Sequence, residues 1–288
     1  MKLKELHTKF HKELDAIYGN NEVQSFFYLL TDFHLNFKRI DVTLQPDFEI
    51  NPEALEHFMN AMSRLKTYEP IQYIIGQTEF YGLPFKVNSH TLIPRPETEE
   101  LVELIISNVK LIVPEKPLTL LDIGTGTGCI AISLAKHITN AQVFAVDISD
   151  EALKVARENA ILNGVNVEFI KTDILNWKSE SKLQDLKFDI IVSNPPYVRH
   201  LEKAEMKANV LQHEPHLALF VDDANPLQFY RAIAEFASEK LQRGGQLYFE
   251  INQYLGNEMT QLLELYHFKN IELLIDIFGN HRMMKADV

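Results

Sequence analysis

The sequence predicts an α/β protein in which a mostly parallel sheet, covered by helices on both faces, follows a small helical domain. Three observations carry that expectation. From Leu118 onward, short apolar runs alternate with helical patterns, the order that builds parallel sheets. The first of those runs opens onto a glycine-rich turn and a helix, LLDIGTGTGCIAISLA. The first seventy-odd residues, by contrast, show helical periodicity alone.

Size and composition bound the rest. A chain of 288 residues suits one large domain plus a small one. Its hydrophobic share of 46% against 24% charged is ordinary globular usage and argues against wholesale disorder. The 28 Lys and Arg against 40 Asp and Glu leave a net charge of −12, which opposes broad neutralisation of nucleic-acid phosphates. A single cysteine, Cys129, permits no intramolecular disulfide and no zinc site of two or more cysteines, so a reducing cytoplasm is the expected compartment. The charged start MKLKELHTKFHKELDAIYG lacks the apolar stretch of a signal peptide. No apolar run approaches the roughly 20 residues that span a bilayer, so no membrane partner is expected.

Element by element, Leu3, Leu6, Phe10, Leu14 and Ile17 mark a first helix, stopped by Gly19-Asn20-Asn21. Val23, Phe26, Phe27, Leu30, Phe33 and Phe37 give a second apolar stripe at steps of three and four. Leu55, Phe58, Met59, Met62 and Leu65 give a third, with Asn51 as cap and Pro52 in the first turn. To Gln77 the count is 8 Lys and Arg against 11 Asp and Glu, so this segment is no polyelectrolyte arm. Residues 1–76 are therefore expected to form a helical domain. EFYGLPFKVN reads as a β-hairpin turning around Gly82-Leu83-Pro84. The prolines of HTLIPRPETE then hold an extended path, making 77–96 a linker. A helix near Glu97, with Leu101, Val102, Leu104, Ile105 and Val109 on one face, opens the domain 97–288. There LTLLDI, AQVFAV, VEFI, DIIVS, QLYFEI and IELLIDI are strands, and the last pairs with HRMMKADV as an edge hairpin around Gly279-Asn280.

In the glycine turn, Gly124, Gly126 and Gly128 let the backbone approach a ligand closely. A dinucleotide fingerprint would place glycine where Cys129 stands, and its absence favours a nucleoside ligand without phosphate. Cys129 itself is expected to be a small packed residue rather than a reactive thiol. Asp147 ends the next strand and suits the two hydroxyls of a ribose. Asp173, after the third strand, suits an adenine amine, with Ile174 beside the ring. Either aspartate alone is as well read as a helix cap. The ordered set of glycine loop and two strand-end carboxylates resembles the S-adenosylmethionine site of the seven-stranded, Rossmann-like class I methyltransferases.

FDIIVS runs into Asn194-Pro195-Pro196-Tyr197. A planar nitrogen delocalises its lone pair and must be held before it can attack a methyl group. The Asn194 side-chain oxygen and the Pro195 carbonyl can each accept one N–H, while the two prolines preset the backbone. Tyr197 can stack on the flat group and border a sulfonium. No metal or strong general base is required; His90, His200, His213 and His216 do not sit at metal-ligand spacing. The motif leaves the acceptor open between the exocyclic amine of a base and the side-chain amide of glutamine.

PIQYIIGQTEFYGLPFKVNSHTLIPRPETEELVE, LDIGTGTGCIAISLA, IVSNPPYV, HEPHLALF and DANPLQFYRAI together closely resemble the HemK/PrmC family of peptide chain release factor glutamine methyltransferases. The resemblance runs from about Tyr68 to the C-terminus, and LIPRPETE is its most diagnostic segment. It implies S-adenosylmethionine as cofactor, S-adenosylhomocysteine as product, and as acceptor the glutamine of the GGQ motif of release factors. Carried over, Gly124, Thr125, Gly126, Thr127, Gly128, Asp147, Asp173, Ile174 and Asn194 would contact the cofactor. Asn194, Pro195, Pro196 and Tyr197 would grip the glutamine amide, with Arg95, Glu97 and Glu250 shaping the pocket. Arg95 could equally form a surface ion pair with Glu97 or Glu99. Ile174 departs from the aromatic residue often found beside the adenine in this family. The helical domain is expected to hold the release factor, no direct nucleic-acid contact is expected of so acidic a chain, and a monomer is the expected state, although the sequence holds no signal for or against a dimer. Two rivals remain. One is an adenine-N6 methyltransferase on DNA or RNA, opposed by the acidic charge. The other is a non-enzyme, an S-adenosylmethionine-binding scaffold that docks a translation factor, opposed by the intact acceptor clamp.

Overall fold

The computed structural model describes residues 1–111 and 116–288, which divide into two compact units. The first comprises Met1–Gly76 together with Lys207–His213. Helices α1 (Leu3–Tyr18), α2 (Asn20–Leu35), α3 (Arg39–Leu44), α4 (Pro52–Leu65) and α5 (Ile71–Ile75) make it up, joined by a late helix described below. The apolar stripes of α1, α2 and α4 meet at Phe10, Phe27 and Phe58, whose rings lie 5.4–6.0 Å apart, within the range of favourable aromatic pairs. Asn51 caps α4 by accepting the Ala54 N–H at 2.8 Å, with Pro52 in the first turn. The stripe on α2 is shorter than its spacing suggests. Asn36 adopts a left-handed conformation and ends the helix at Leu35, leaving Phe37 outside it, while Phe33 lies at the stripe's edge and stays exposed.

The second unit comprises Gln77–Met206 and Glu214–Val288. It opens on β1 (Gln77–Phe80) and β2 (Leu83–Lys86), an antiparallel hairpin. The turn is Tyr81-Gly82, both residues at positive φ, the conformation a two-residue hairpin turn requires. Leu83 and Pro84, expected in the turn, instead begin β2. The hairpin is no free linker: Asn159 exchanges hydrogen bonds with both the N–H and the carbonyl of Lys86 (2.7 and 3.0 Å), and Asn163 donates to the Pro84 carbonyl. Helix α6 (Pro96–Leu111) starts on Pro96 itself. Proline is tolerated in a first turn because its missing N–H would be unpaired there.

Then come β3 (Leu118–Ile123), α7 (Cys129–His137), β4 (Ala141–Asp147), α8 (Asp150–Asn163), β5 (Glu168–Lys171), α9 (Ser181–Gln184), β6 (Phe188–Ser193) and β7 (Val198–Arg199). Helix α10 (Ala208–His213) belongs to the first unit, where His213 Nε2 donates to the Thr67 carbonyl at 2.7 Å. The order continues with α11 (His216–Leu219), β8 (Phe220–Val221), α12 (Gln228–Lys240), β9 (Leu241–Glu250), α13 (Gly256–Leu265), β10 (Lys269–Ile275) and β11 (His281–Asp287). The main sheet has seven strands in the order β10-β11-β9-β6-β3-β4-β5. Six run in one direction, and β11, between β10 and β9, lies antiparallel to both of its neighbours. Side chains alternate between two cores. Leu120, Val143, Ile190 and Tyr248 face α6 and α7, whereas Leu121, Phe144, Ile191 and Phe249 face α12 and α13. No helix of the described residues is long and apolar enough to cross a membrane.

The chain leaves β3 toward β4 and β5 on one side, then returns to β6 on the other. That reversal opens a crevice at the carboxyl ends of the strands. Register aligns those ends: Ile123 pairs with Val146 on one side and with Ser193 on the other. The glycine turn, Asp147 and Asn194 therefore leave the sheet side by side.

Candidate active site

A cavity of about 420 Å³ fills the crevice, a size ordinary for small-molecule sites. Gly124 and Gly126 form part of its wall. A Cβ built at either meets no atom within 4 Å and would project into open space that a ligand can fill. Gly128 is different. Its Cβ would stand 2.8 Å from Ile132 Cδ1 and 3.2 Å from Ala156 Cβ, so this glycine allows α7 and α8 to pack and lies outside the cavity. Thr125 and Thr127 are likewise buried away from the wall. Thr125 Oγ1 donates to Asp122 Oδ2 at 2.6 Å, and Thr127 hydrogen-bonds the Cys129 thiol. These side chains brace the turn, and neither the threonines nor Gly128, all expected to contact the cofactor, lines the cavity. Burial pushes the Cys129 thiol up to about 12, so it stays protonated at neutral pH. Burial also raises the Asp122 carboxyl, to about 7; its Oδ1 has no hydrogen-bond partner among the described residues.

Asp147 and Asp173 both line the cavity. Asp147 accepts the Gly126 and Ser149 N–H groups at 2.9 Å each, tying the turn to the end of β4, and burial raises its carboxyl. Asp173 also caps: it accepts from Leu175 N and Asn176 Nδ2. Capping and cavity lining thus coexist in the same residues. Ile174 is on the wall, joined by Leu175 and by Phe229 from α12. Phe229 is the cavity aromatic that the sequence reading missed. A mixed wall of this kind, flat apolar groups with two carboxylates at successive strand ends and a Cβ-free glycine turn, fits a nucleoside with a polar ribose.

Asn194, Pro195 and Pro196 close one side of the cavity. Ser193 anchors this corner by donating Oγ to the Ile123 carbonyl at 2.6 Å. Asn194 Nδ2 donates to Thr98 Oγ1 at 3.3 Å, and Thr98 Oγ1 donates to Glu250 Oε2 at 2.6 Å. Tyr197 does not stand on the cavity wall, contrary to the expected stacking role. Its ring packs on the core and its hydroxyl donates to Glu250 Oε1 at 3.0 Å. The buried Glu250 needs donors on both oxygens, and the phenol supplies the second. Burial raises the Glu250 carboxyl, against the lowering effect of Thr98, Tyr197 and Arg282.

The diagnostic LIPRPETE segment contributes differently from expectation. Arg95 pairs with neither Glu97 nor Glu99. Its Nη2 donates to Glu214 Oε1 at 2.6 Å, and Glu214, only 1% exposed, also accepts the Ile93 N–H. The pair fastens LIPRPETE to HEPHLALF. Neither Arg95 nor Glu97 lines the cavity, whereas Ser89, His90, Thr91 and Leu92 do, with Pro215 and Leu217 opposite. Thr98, not Glu97, reaches Asn194. Beyond the NPPY turn, Asn252 Nδ2 bonds the Tyr197 carbonyl and Glu202, which also binds Arg199.

Comparison with known proteins identifies the family to which the chain belongs. Residues 114–263 match a methyltransferase domain family, and residues 5–76 match the PrmC N-terminal domain. The release factor glutamine methyltransferase of Flavobacterium psychrophilum is 53% identical over 100% of this chain and 99% of its own. That of Bacteroides thetaiotaomicron is 45% identical over 96% of each. The chain belongs to the release factor glutamine methyltransferase family. Among solved structures, the 16S rRNA N2 G1207 methyltransferase of T. thermophilus, in complex with AdoMet and guanosine, superposes with a TM-score of 0.52 at 21% identity. The match covers 73% of this chain and 49% of that one, and it shows the shared class I methyltransferase fold.

Proposed function

We propose that this protein methylates the side-chain amide nitrogen of the GGQ glutamine of peptide chain release factors, using S-adenosylmethionine. One observation carries the reading: the Asn194-Pro195-Pro196 turn borders the same cavity as the Gly124–Gly126 turn, Asp147 and Asp173. A planar nitrogen held at the first would face a nucleoside-bound methyl donor held by the second. When bound, S-adenosylmethionine supplies an electrophilic methyl group: its sulfur–methyl bond breaks as the nitrogen–methyl bond forms, leaving S-adenosylhomocysteine.

The chain's own residues supply position. Asn194 Oδ1 and the Pro195 carbonyl accept the two amide N–H groups, which aligns the nitrogen lone pair, and the prolines hold that geometry before substrate arrives. The amide proton passes to water after transfer. Gly124 and Gly126 give room to the donor, Asp147 accepts from the ribose, and Asp173, Ile174 and Phe229 border the adenine. Arg95 keeps the neighbouring loops together rather than touching substrate, and Tyr197 acts behind the clamp by supporting Glu250. The helical unit binds the release factor away from the chemistry, so surface changes there raise KM for the intact factor and leave transfer to a short GGQ peptide unaltered. The same reading takes the protein to be a cytoplasmic monomer without direct nucleic-acid contact; light scattering checks the monomer. Replacing the clamp tests the function. Asn194→Ala should bind S-adenosylmethionine nearly as tightly as the parent while transfer falls by at least about a hundredfold; retained turnover would refute the role.

A further inference from the structure

An asparagine amide has two nearly superposable ends, and only one serves the proposed clamp. If Nδ2 faced the cavity, it would confront an incoming amide N–H with another donor. The surroundings of Thr98 decide between the ends. A threonine hydroxyl has one proton to give. Glu250, 1% exposed, is an acceptor on both oxygens when ionised, and its Oε2 lies 2.6 Å from Thr98 Oγ1. The Thr98 proton is therefore committed to Glu250. What remains on Oγ1 is a lone pair, and the Asn194 atom 3.3 Å away must be the donor Nδ2, leaving Oδ1 for the cavity.

We propose that Thr98 is a positioning residue that fixes the polarity of the Asn194 amide, with Glu250 fixing the polarity of Thr98. The inference rests on Asn194 being the acceptor clamp. Each link is one-directional. Tyr197 of the NPPY turn supplies a second hydroxyl donor to Glu250 at 3.0 Å, and the positive charge of Arg282 on β11 acts on the same carboxyl. Both favour the ionised carboxylate that the relay needs, whereas burial, the largest effect, and Glu97 of α6 oppose it. Protonation of Glu250 or its exchange for glutamine lets position 250 donate to Thr98. Thr98 can then donate to Asn194, which turns the amide around.

The test is a double-mutant cycle in the full-length chain, read as kcat and KM for an intact release factor at saturating S-adenosylmethionine. Thr98→Val removes the hydroxyl and keeps the shape, so kcat should fall roughly tenfold with the dissociation constant for S-adenosylmethionine unchanged. Thr98→Ser should return kcat to within about twofold. Glu250→Gln should cost about as much as Thr98→Val, and the double variant should be no worse than Thr98→Val alone, because Glu250 acts through Thr98. Thr98→Ala, also without a hydroxyl, carries the same expectation should the valine variant fail to fold. Parental kcat in Thr98→Val or Thr98→Ala, no rescue by serine, or additive losses in the double variant would overturn the relay. Failure of the parent enzyme to methylate the factor would instead overturn the function on which it rests.

Discussion

Replacing the glycines of the turn one at a time should separate packing from binding. In Gly128→Ala the backbone stays at φ +81°, a left-handed conformation that costs an alanine about 1–2 kcal/mol. The new methyl also meets Ile132 Cδ1 at 2.8 Å and Ala156 Cβ at 3.2 Å. The isoleucine end can rotate, but the Ala156 Cβ is fixed to its helix, so overpacking adds about 1–3 kcal/mol. The sum, about 2–5 kcal/mol, corresponds to a fall in Tm of roughly 5–15 °C for a unit of this size. Gly126→Ala, at φ +55° with nothing within 4 Å of the new methyl, incurs the backbone cost alone, a fall of roughly 2–6 °C. Its methyl enters the cavity, so affinity for S-adenosylmethionine should drop about tenfold or more, equivalent to about 1.4 kcal/mol. Scanning calorimetry of both variants and titration calorimetry with S-adenosylmethionine read the two effects. Equal Tm losses, or unchanged affinity in Gly126→Ala, would refute the assignment of the third glycine to packing and the second to the ligand.

Two further perturbations follow from buried carboxylates. Burial raises Asp122 from its ordinary 3.8 to about 7, so the folded chain keeps a proton that the unfolded chain releases across that interval. Stability from this group is therefore greatest below pH 4 and declines as pH rises to 7, by about 4 kcal/mol in all. Asp122→Asn should have a smaller Tm difference between pH 5 and pH 8 than the parent; an equal difference would contradict the shift. Arg95→Ala leaves the buried Glu214 with only the Ile93 N–H, a loss on the order of 2–3 kcal/mol, below the figure for a fully buried pair because Arg95 is partly exposed. Chemical denaturation should show that loss largely relieved in the double variant with Glu214→Gln, and no relief would argue against the ion pair.

Much of the sheet could be read from the chain because its strands are apolar runs bounded by turn residues, and the glycine turn and NPPY declared themselves as local motifs. Local reading failed where proline has two meanings. Pro84 reads as a turn residue, yet it is the second residue of β2 in a two-stranded hairpin, where its missing N–H costs little; Pro96 reads as a helix breaker and is the first residue of α6. The supports of the site were illegible for a different reason. Thr98 meets Glu250 across 152 residues and Arg95 meets Glu214 across 119, and a single sequence carries no record of such pairings. Within LIPRPETE the charged residues Arg95 and Glu97 are the obvious candidates from sequence, whereas the residue that meets Asn194 is the uncharged Thr98. Tyr197 was misplaced because an aromatic beside a motif suggests stacking, while the hydroxyl partner that redirects it lies on β9.

The central claim is the identity of the acceptor. Methyl transfer from tritiated S-adenosylmethionine should be measured on an unmethylated release factor, on the same factor with its GGQ glutamine changed to alanine, and on duplex DNA. The account predicts label on the first and none on the other two. Label on the DNA, or equal label on both forms of the factor, would contradict it.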